Sequence, residues 1–154
     1  MHSGESKIVE NDDYLFITVD GVHYLLGYVG SDSDLILPES YNGENYVINA
    51  YAFEENDSLT SVTIGSGVTS ISKYAFHACT SLKNVTVGSG VIAIDENAFG
   101  DCHSLESVTF ATSNGWYVST DSSAVSGESV ALGDLSANAT YLTTTYRDYY
   151  WKRS

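Results

Sequence analysis

One feature constrains this chain more than any other: it repeats itself every 23 residues. The stretch INAYAFEENDSLTSVTIGSGV at 48–68 returns as ISKYAFHACTSLKNVTVGSGV at 71–91 and as IDENAFGDCHSLESVTFATSN at 94–114. A fixed period of this length is the signature of a solenoid, in which each repeat is one coil of a stack. The repeats align in columns that are apolar in every copy: Ile48, Ile71, Ile94; Ala52, Ala75, Ala98; Phe53, Phe76, Phe99; Leu59, Leu82, Leu105; Val62, Val85, Val108; Ile64, Val87, Phe110. Thr63, Thr86 and Thr109 alternate with the last two columns.

Elementary geometry assigns each part of the repeat. LTSVTI ends in period-two alternation, Val62 and Ile64 in and Thr63 out, which is a half-buried strand. GSG at 65–67 and 88–90 reads as a flexible turn. VTSI at 68–71 reads as a second short strand, and the YAF segment as a single helical or 3₁₀ turn. A lone coil cannot bury its inner face, so parallel stacking must join the inner columns into one core. The three Phe rings are then expected to stack at the strand spacing of roughly 4.8 Å. A fourth, partial coil precedes these, because LILPES at 35–40 matches VTIGSG with Leu35 and Leu37 inward. Eleven residues separate Leu37 from Ile48 where seven separate Ile64 from Ile71, which places a four-residue insertion in YNGENY. Insertions in solenoids form loops on one face, often the binding face.

Open solenoid ends expose apolar columns and strand edges, so caps are expected. Residues 14–33 contain Asp20-Gly21 between two alternating runs, a strong hairpin signal for an N-terminal cap. Residues 1–13 read as a disordered leader, 34–112 as the repeats and 113–154 as a Tyr-rich C-terminal cap, all in one folded domain. Within that cap GWYVST at 115–120 reads as a strand, DSSAVSGES as a polar loop, and 137–146 as a short helix capped by Asp134 or Ser136. Tyr149-Tyr150-Trp151 then supplies a final strand closing the stack.

Charge narrows the functional classes. The chain carries 20 Asp plus Glu against 6 Lys plus Arg, a net −14. That surface repels phosphate, so nucleic acid is an unsuitable partner, and anionic membrane surfaces are disfavoured. No apolar run spans a bilayer, and the opening residues lack the apolar core of a signal peptide. Low charge content among many Ser, Thr, Gly and Tyr residues suits a β-rich, extracellular surface.

Side chains with chemical potential are few. Cys79 and Cys102 lie one repeat apart, within reach of a disulfide once stacked, and read either as a redox or metal pair or as a ladder of buried free thiols; the lack of a CxxC unit favours the free thiols. His77 and His103 fall at different phases of the repeat and form no column. HExxH and GxSxG are absent, so neither a metal, a cofactor nor an enzyme is expected. The acidic clusters NDD at 11–13 and DSD at 32–34 lack a calcium-loop pattern and read as solvated surface. Three Asn-x-Ser/Thr sequons occur, at Asn56, Asn84 and Asn138. Tyrosines are the recognition candidates: Tyr41 and Tyr46 in the inserted loop, Tyr51 and Tyr74 at one repeat position outside the core columns. The strand face of Ser61, Asn84, Ser107 and the three Thr is polar, flat and without an anchor.

The motif SISKYAFHACTSLKNVTVGSGV, with its Ile, Ala-Phe pair, Cys, Ser-Leu pair and Val-x-Val strand, resembles the BspA-type leucine-rich repeat. The resemblance covers about 34–112, and both flanks are similar to leading and closing segments of such proteins in gut bacteria. It departs at GSG, where the family often places Pro, and at Asn56, which stands where Cys is usual. It implies a right-handed, β-rich leucine-rich-repeat solenoid with short helical turns. It also implies a bacterial surface or secreted module without an active site, some members of which take part in adhesion. The expectation is therefore a monomeric, non-catalytic binding module for an extracellular protein or glycan, or a spacer in a larger surface protein.

Overall fold

A computed structural model describes residues 7–154. The repeats form a β-solenoid of two parallel sheets. One is built from β4 (Asp34–Ile36), β6 (Ser61–Thr63), β8 (Asn84–Val87) and β10 (Ser107–Phe110), paired in that order. The other contains β3 (Val22–Tyr28), β5 (Tyr46–Ile48), β7 (Val68–Ile71) and β9 (Ala93–Ile94), also parallel. Coils pair residue for residue across the repeat, Val62 with Val85 and Val85 with Val108. Leu59, Val62, Ile64, Leu82, Val85, Val87 and Val108 are buried between the sheets, and Leu105 is partly so. Phe53 stacks on Phe76 at 4.9 Å and Phe76 on Phe99 at 5.1 Å, with ring planes within 2° of parallel. These distances are the coil spacing read out by side chains.

Two local expectations are corrected. The YAF segment is neither helical nor 3₁₀; it is a run of turns, with Tyr51 and Glu55 at φ 64° and 62° and their equivalents Tyr74 and Ala78 at 58° and 59°. Left-handed residues break the helix and let the main chain bond to the next coil: Phe53 N–H reaches the Ala75 carbonyl and Glu55 N–H that of His77. Nor is GSG chosen for flexibility. None of its glycines has positive φ, but a Cβ on Gly67 would sit 1.9 Å from the Glu39 carbonyl oxygen, and one on Gly90 2.1 Å from that of Ser66. Glycine is needed there because one coil's backbone lies against the next.

The caps close the apolar columns. At the N-terminal end β2 (Tyr14–Val19) pairs antiparallel with β3 through Asp20 (φ 52°) and Gly21 (φ 80°), the expected hairpin. The leader expected over 1–13 is corrected in part: β1 (Val9–Asn11) pairs with β2 through a turn at Asp12 and Asp13, both at positive φ. Residues 1–6 lie outside the described residues. At the C-terminal end come β11 (Trp116–Ser119), β12 (Glu128–Ser129), α1 (Leu135–Thr140), a π-helical turn at 141–145, and β13 (Tyr150–Arg153). Asp134 caps α1 by accepting from the N–H groups of Ser136 and Ala137. β13 does not lie at the outer end of the stack; it inserts antiparallel between β9 and β11. Buried Trp151 on β13 meets Phe110 and Trp116, which seals the last coil.

Gly67→Ala and Gly90→Ala are each expected to cost about 1–3 kcal/mol by overpacking backbone on backbone, whereas Gly133→Ala, facing open space, should be neutral. Phe76→Ala, the middle ring of the ladder, should cost about 3–5 kcal/mol. Urea unfolding monitored by circular dichroism measures all four.

Candidate functional site

The left-handed position of the turn sets one column of side chains apart from the apolar core. Tyr51 and Tyr74 occupy it in successive coils, and their rings stack at 5.3 Å with planes 2° apart. Tyr51 is 49% exposed. In the third coil Asn97 takes the same position at φ 54°, and it is buried. Its Nδ2 donates to Asp148 Oδ1 at 2.7 Å, and its Oδ1 accepts from Arg147 Nε at 3.0 Å. The aromatic strip is therefore two rings long and ends where the C-terminal cap docks.

A chain of hydrogen-bonded acidic and basic side chains runs beside the strip. His77 packs edge-on against Tyr74, with ring centroids 5.1 Å apart. Its Nδ1 lies 3.2 Å from Glu54 Oε2 and its Nε2 3.0 Å from Asp101 Oδ2. Arg147 Nη1 donates to Asp101 Oδ1 at 3.1 Å. The Arg147 hydrogen bond, with the charges of Arg147 and His77 behind it, holds the Asp101 carboxyl below its ordinary range. Both ring nitrogens of His77 are taken by carboxylates, which makes the chain a brace across three coils rather than a nucleophile with its base.

The other two candidate tyrosines are corrected by their burial. Tyr41 is 7% and Tyr46 1% exposed. Tyr41 stacks on Phe16 at 4.2 Å; Tyr46 meets the same ring edge-on and donates its hydroxyl to the Pro38 carbonyl at 2.6 Å. The insertion itself is a tight turn at Asn42 (φ 53°) and Gly43 (φ 75°), the geometry an Asn-Gly pair favours. His23 anchors it: Nε2 lies 2.7 Å from Glu44 Oε1, and Nδ1 2.7 Å from Thr18 Oγ1.

The remaining chemistry is structural. Cys79 and Cys102 are free, buried thiols that donate to the carbonyls of Phe53 and Phe76, at 3.1 and 3.0 Å. Contact with Cys102 and burial push the Cys79 thiol well up, away from the reactive thiolate. Among the described residues no group of three His, Cys, Asp or Glu is placed to hold a metal ion. Asn138 is fully buried and donates to the carbonyls of Val108 and Leu132, so this sequon is closed in the folded chain. A groove of about 530 Å³ beside Trp116, Val125 and Leu132, and a smaller one of about 260 Å³ at Asp101, His103 and Arg147, lie in the cap region. The tyrosine strip lines neither, so it is an open platform. No helix among the described residues is long and apolar enough to cross a membrane.

The fold and the repeat define a leucine-rich-repeat solenoid. A family model described as BspA type leucine rich repeat region, in six copies, matches residues 43–130, more than half of the chain. The chain belongs to that family. No curated protein matches it significantly. Among solved structures, a leucine-rich cell surface protein from Faecalibacterium prausnitzii is similar at 29% identity and TM-score 0.55, over 71% of this chain and 33% of that one. The leucine-rich repeat protein of T. pallidum is similar at 25% identity and TM-score 0.62, over 70% of this chain and 51% of that one. A leucine-rich repeat protein from Bacteroides ovatus shares the fold at 21% identity and TM-score 0.50, over 65% and 28%. The chain thus spans between about a quarter and half of the length of these relatives.

Two carboxyls give the stability of this face opposite pH dependences. Asp101 lies below its unfolded value, so its contribution is complete above the ordinary carboxylate range, declines as pH falls into that range and is gone only below the lowered folded value. Half-buried Asp95 is raised, chiefly by desolvation, so its ionisation opposes folding as pH rises. Asp101→Asn should therefore lower the melting temperature at pH about 7 by more than near pH 3. Asp95→Asn should raise it at pH about 7 only. Thermal melts at the two pH values check both signs.

Proposed function

We propose that this chain is a non-catalytic recognition module of a bacterial surface or secreted protein, binding an extracellular protein or glycan through Tyr51 and Tyr74. One observation carries the reading: two large rings stack face to face, Tyr51 half in solvent and Tyr74 partly so, at backbone positions that tyrosine seldom adopts. A left-handed backbone costs a non-glycine residue about 1–2 kcal/mol, and Asn, as at Asn97, suits it better. Stacked aromatic faces bind the C–H face of a sugar or a flat protein side chain. The carboxylates of Glu54 and Asp101 beside them supply hydrogen-bond acceptors. Family membership supports a binding role, and the F. prausnitzii relative described as a cell surface protein supports the location. The module acts as a monomer without a cofactor.

A second reading is a spacer within a longer surface protein, without a ligand of its own. The partial span of the relatives favours it.

Tyr51→Asn/Tyr74→Asn separates the two, because Asn tolerates the left-handed backbone and removes the platform. Binding of the immobilised domain to extracellular-matrix proteins, mucins and neutral glycans should be saturable, fold-dependent and at least about tenfold weaker in the double variant, with the melting temperature preserved. Saturable binding indifferent to the variant refutes the strip. Absence of binding by the folded domain transfers the assignment to the spacer.

A further inference from the structure

The N-terminal hairpin is apolar on both faces. Toward the core it presents Tyr14, Phe16 and Leu25, all buried. The alternate positions, Leu15, Ile17 and Val19 on β2 and Val22, Tyr24 and Leu26 on β3, face away from the core and are partly or largely exposed. Ile17 pairs directly with Tyr24 and Val19 with Val22, so these side chains form one contiguous patch; Tyr24 continues it onto Val47 of β5. Val19 and Val22 are each about two-fifths exposed, at 41% and 42%.

An antiparallel pair with one solvated face ordinarily alternates apolar with polar. Apolar residues on both faces are the pattern of strands covered on both sides, and a patch of this kind on a soluble chain marks an interaction surface. The same sheet supplies an internal comparison. Beyond Val47 the outward row continues through Ser70, Ala93 and Lys152, where it turns small and polar. Along this row the outward apolar run thus ends at Val47.

Charge selects the occupant. Residues 8–72 hold eleven Asp and Glu and no Lys or Arg. Exposed Asp20 sits at one end of the patch, and exposed Asp12 and Asp13 at the other. A second copy would bring the same acidic rim against itself, and an anionic membrane or a sulfated or sialylated glycan would be repelled. A surface with an apolar centre and an acidic rim complements one with an apolar centre and a basic rim. We infer that the outer face of the N-terminal hairpin docks a cationic polypeptide segment with an apolar centre, on a surface separate from the tyrosine strip. This inference does not rest on the Tyr51–Tyr74 reading.

The test is fluorescence anisotropy of a labelled, alternating Leu/Lys dodecapeptide, with alternating Ser/Lys and Leu/Glu peptides as counterparts. The Leu/Lys peptide should bind saturably and the other two at least about tenfold more weakly. Raising salt from about 50 to about 500 mM should weaken it as the charges are screened. Val22→Thr/Tyr24→Thr, which keeps strand propensity, should weaken it about tenfold or more. Tyr51→Asn/Tyr74→Asn should leave it unchanged. Should the hairpin variant melt early, Asp12→Asn/Asp20→Asn carries the test, since it alters the rim alone; weaker binding with a shallower salt dependence is expected. Equal binding of Ser/Lys, showing charge alone, overturns the inference. So does equal binding of Leu/Glu, or binding indifferent to the hairpin and rim variants. A dimer in sedimentation velocity that Val22→Thr/Tyr24→Thr abolishes also overturns it and gives the face to a second copy.

Discussion

Each coil is fastened to the next by main-chain hydrogen bonds that form only if the two coils are the same length. Phe53 N–H reaches the Ala75 carbonyl and Phe76 N–H that of Ala98, both at 2.7 Å. Ile64 N–H reaches the Thr86 carbonyl at 2.9 Å on the other side of the coil. One residue more or less would break these bonds and turn every strand side chain to the wrong face. The 23-residue period is this constraint written in sequence. The single departure, at YNGENY, is tolerated because the extra residues leave the ladder and close on themselves through Tyr41 and Glu44.

Fixed coil length also fixes what each column does. Whatever occupies a position is presented again one strand spacing away, which is how the Phe ladder, the thiol pair and the tyrosine strip arise from one backbone. The strip needs no pocket, because the spacing of the coils already sets the spacing of its rings. Its length is set by the residue that breaks the pattern. Asn97 turns inward to the cap, exchanging a presented ring for hydrogen bonds to Arg147 and Asp148.

The columns were legible because apolar periodicity reports burial directly. Phe53, Phe76 and Phe99, the strand tracts, and the Asp20-Gly21 turn all stand where the pattern placed them. The turn segment was not legible: left-handed backbone at Tyr51 and Tyr74 has no compositional mark, and only Asn97 in the same column hinted at it. Tyr41 and Tyr46 are buried because the inserted residues form a tight turn and not an exposed loop. The Asn42-Gly43 pair was the available signal for a tight turn that returns its flanks to the core. The insertion of β13 between β9 and β11 depends on long-range pairing, which local pattern does not encode.

That insertion shapes the order in which the molecule assembles. Neighbouring coils meet across one repeat, a short loop to close, whereas Ile94 finds Trp151 across more than two repeats of intervening chain. Loop-closure entropy makes such distant pairings slow relative to local ones. Contact order thus favours stacking of the coils ahead of the docking of β13. Without β13 the sheet would end at β9, a bare strand edge able to pair with another extended chain. The C-terminal strand is accordingly the latch on which the molecule's passage from stacked coils to a closed sheet depends.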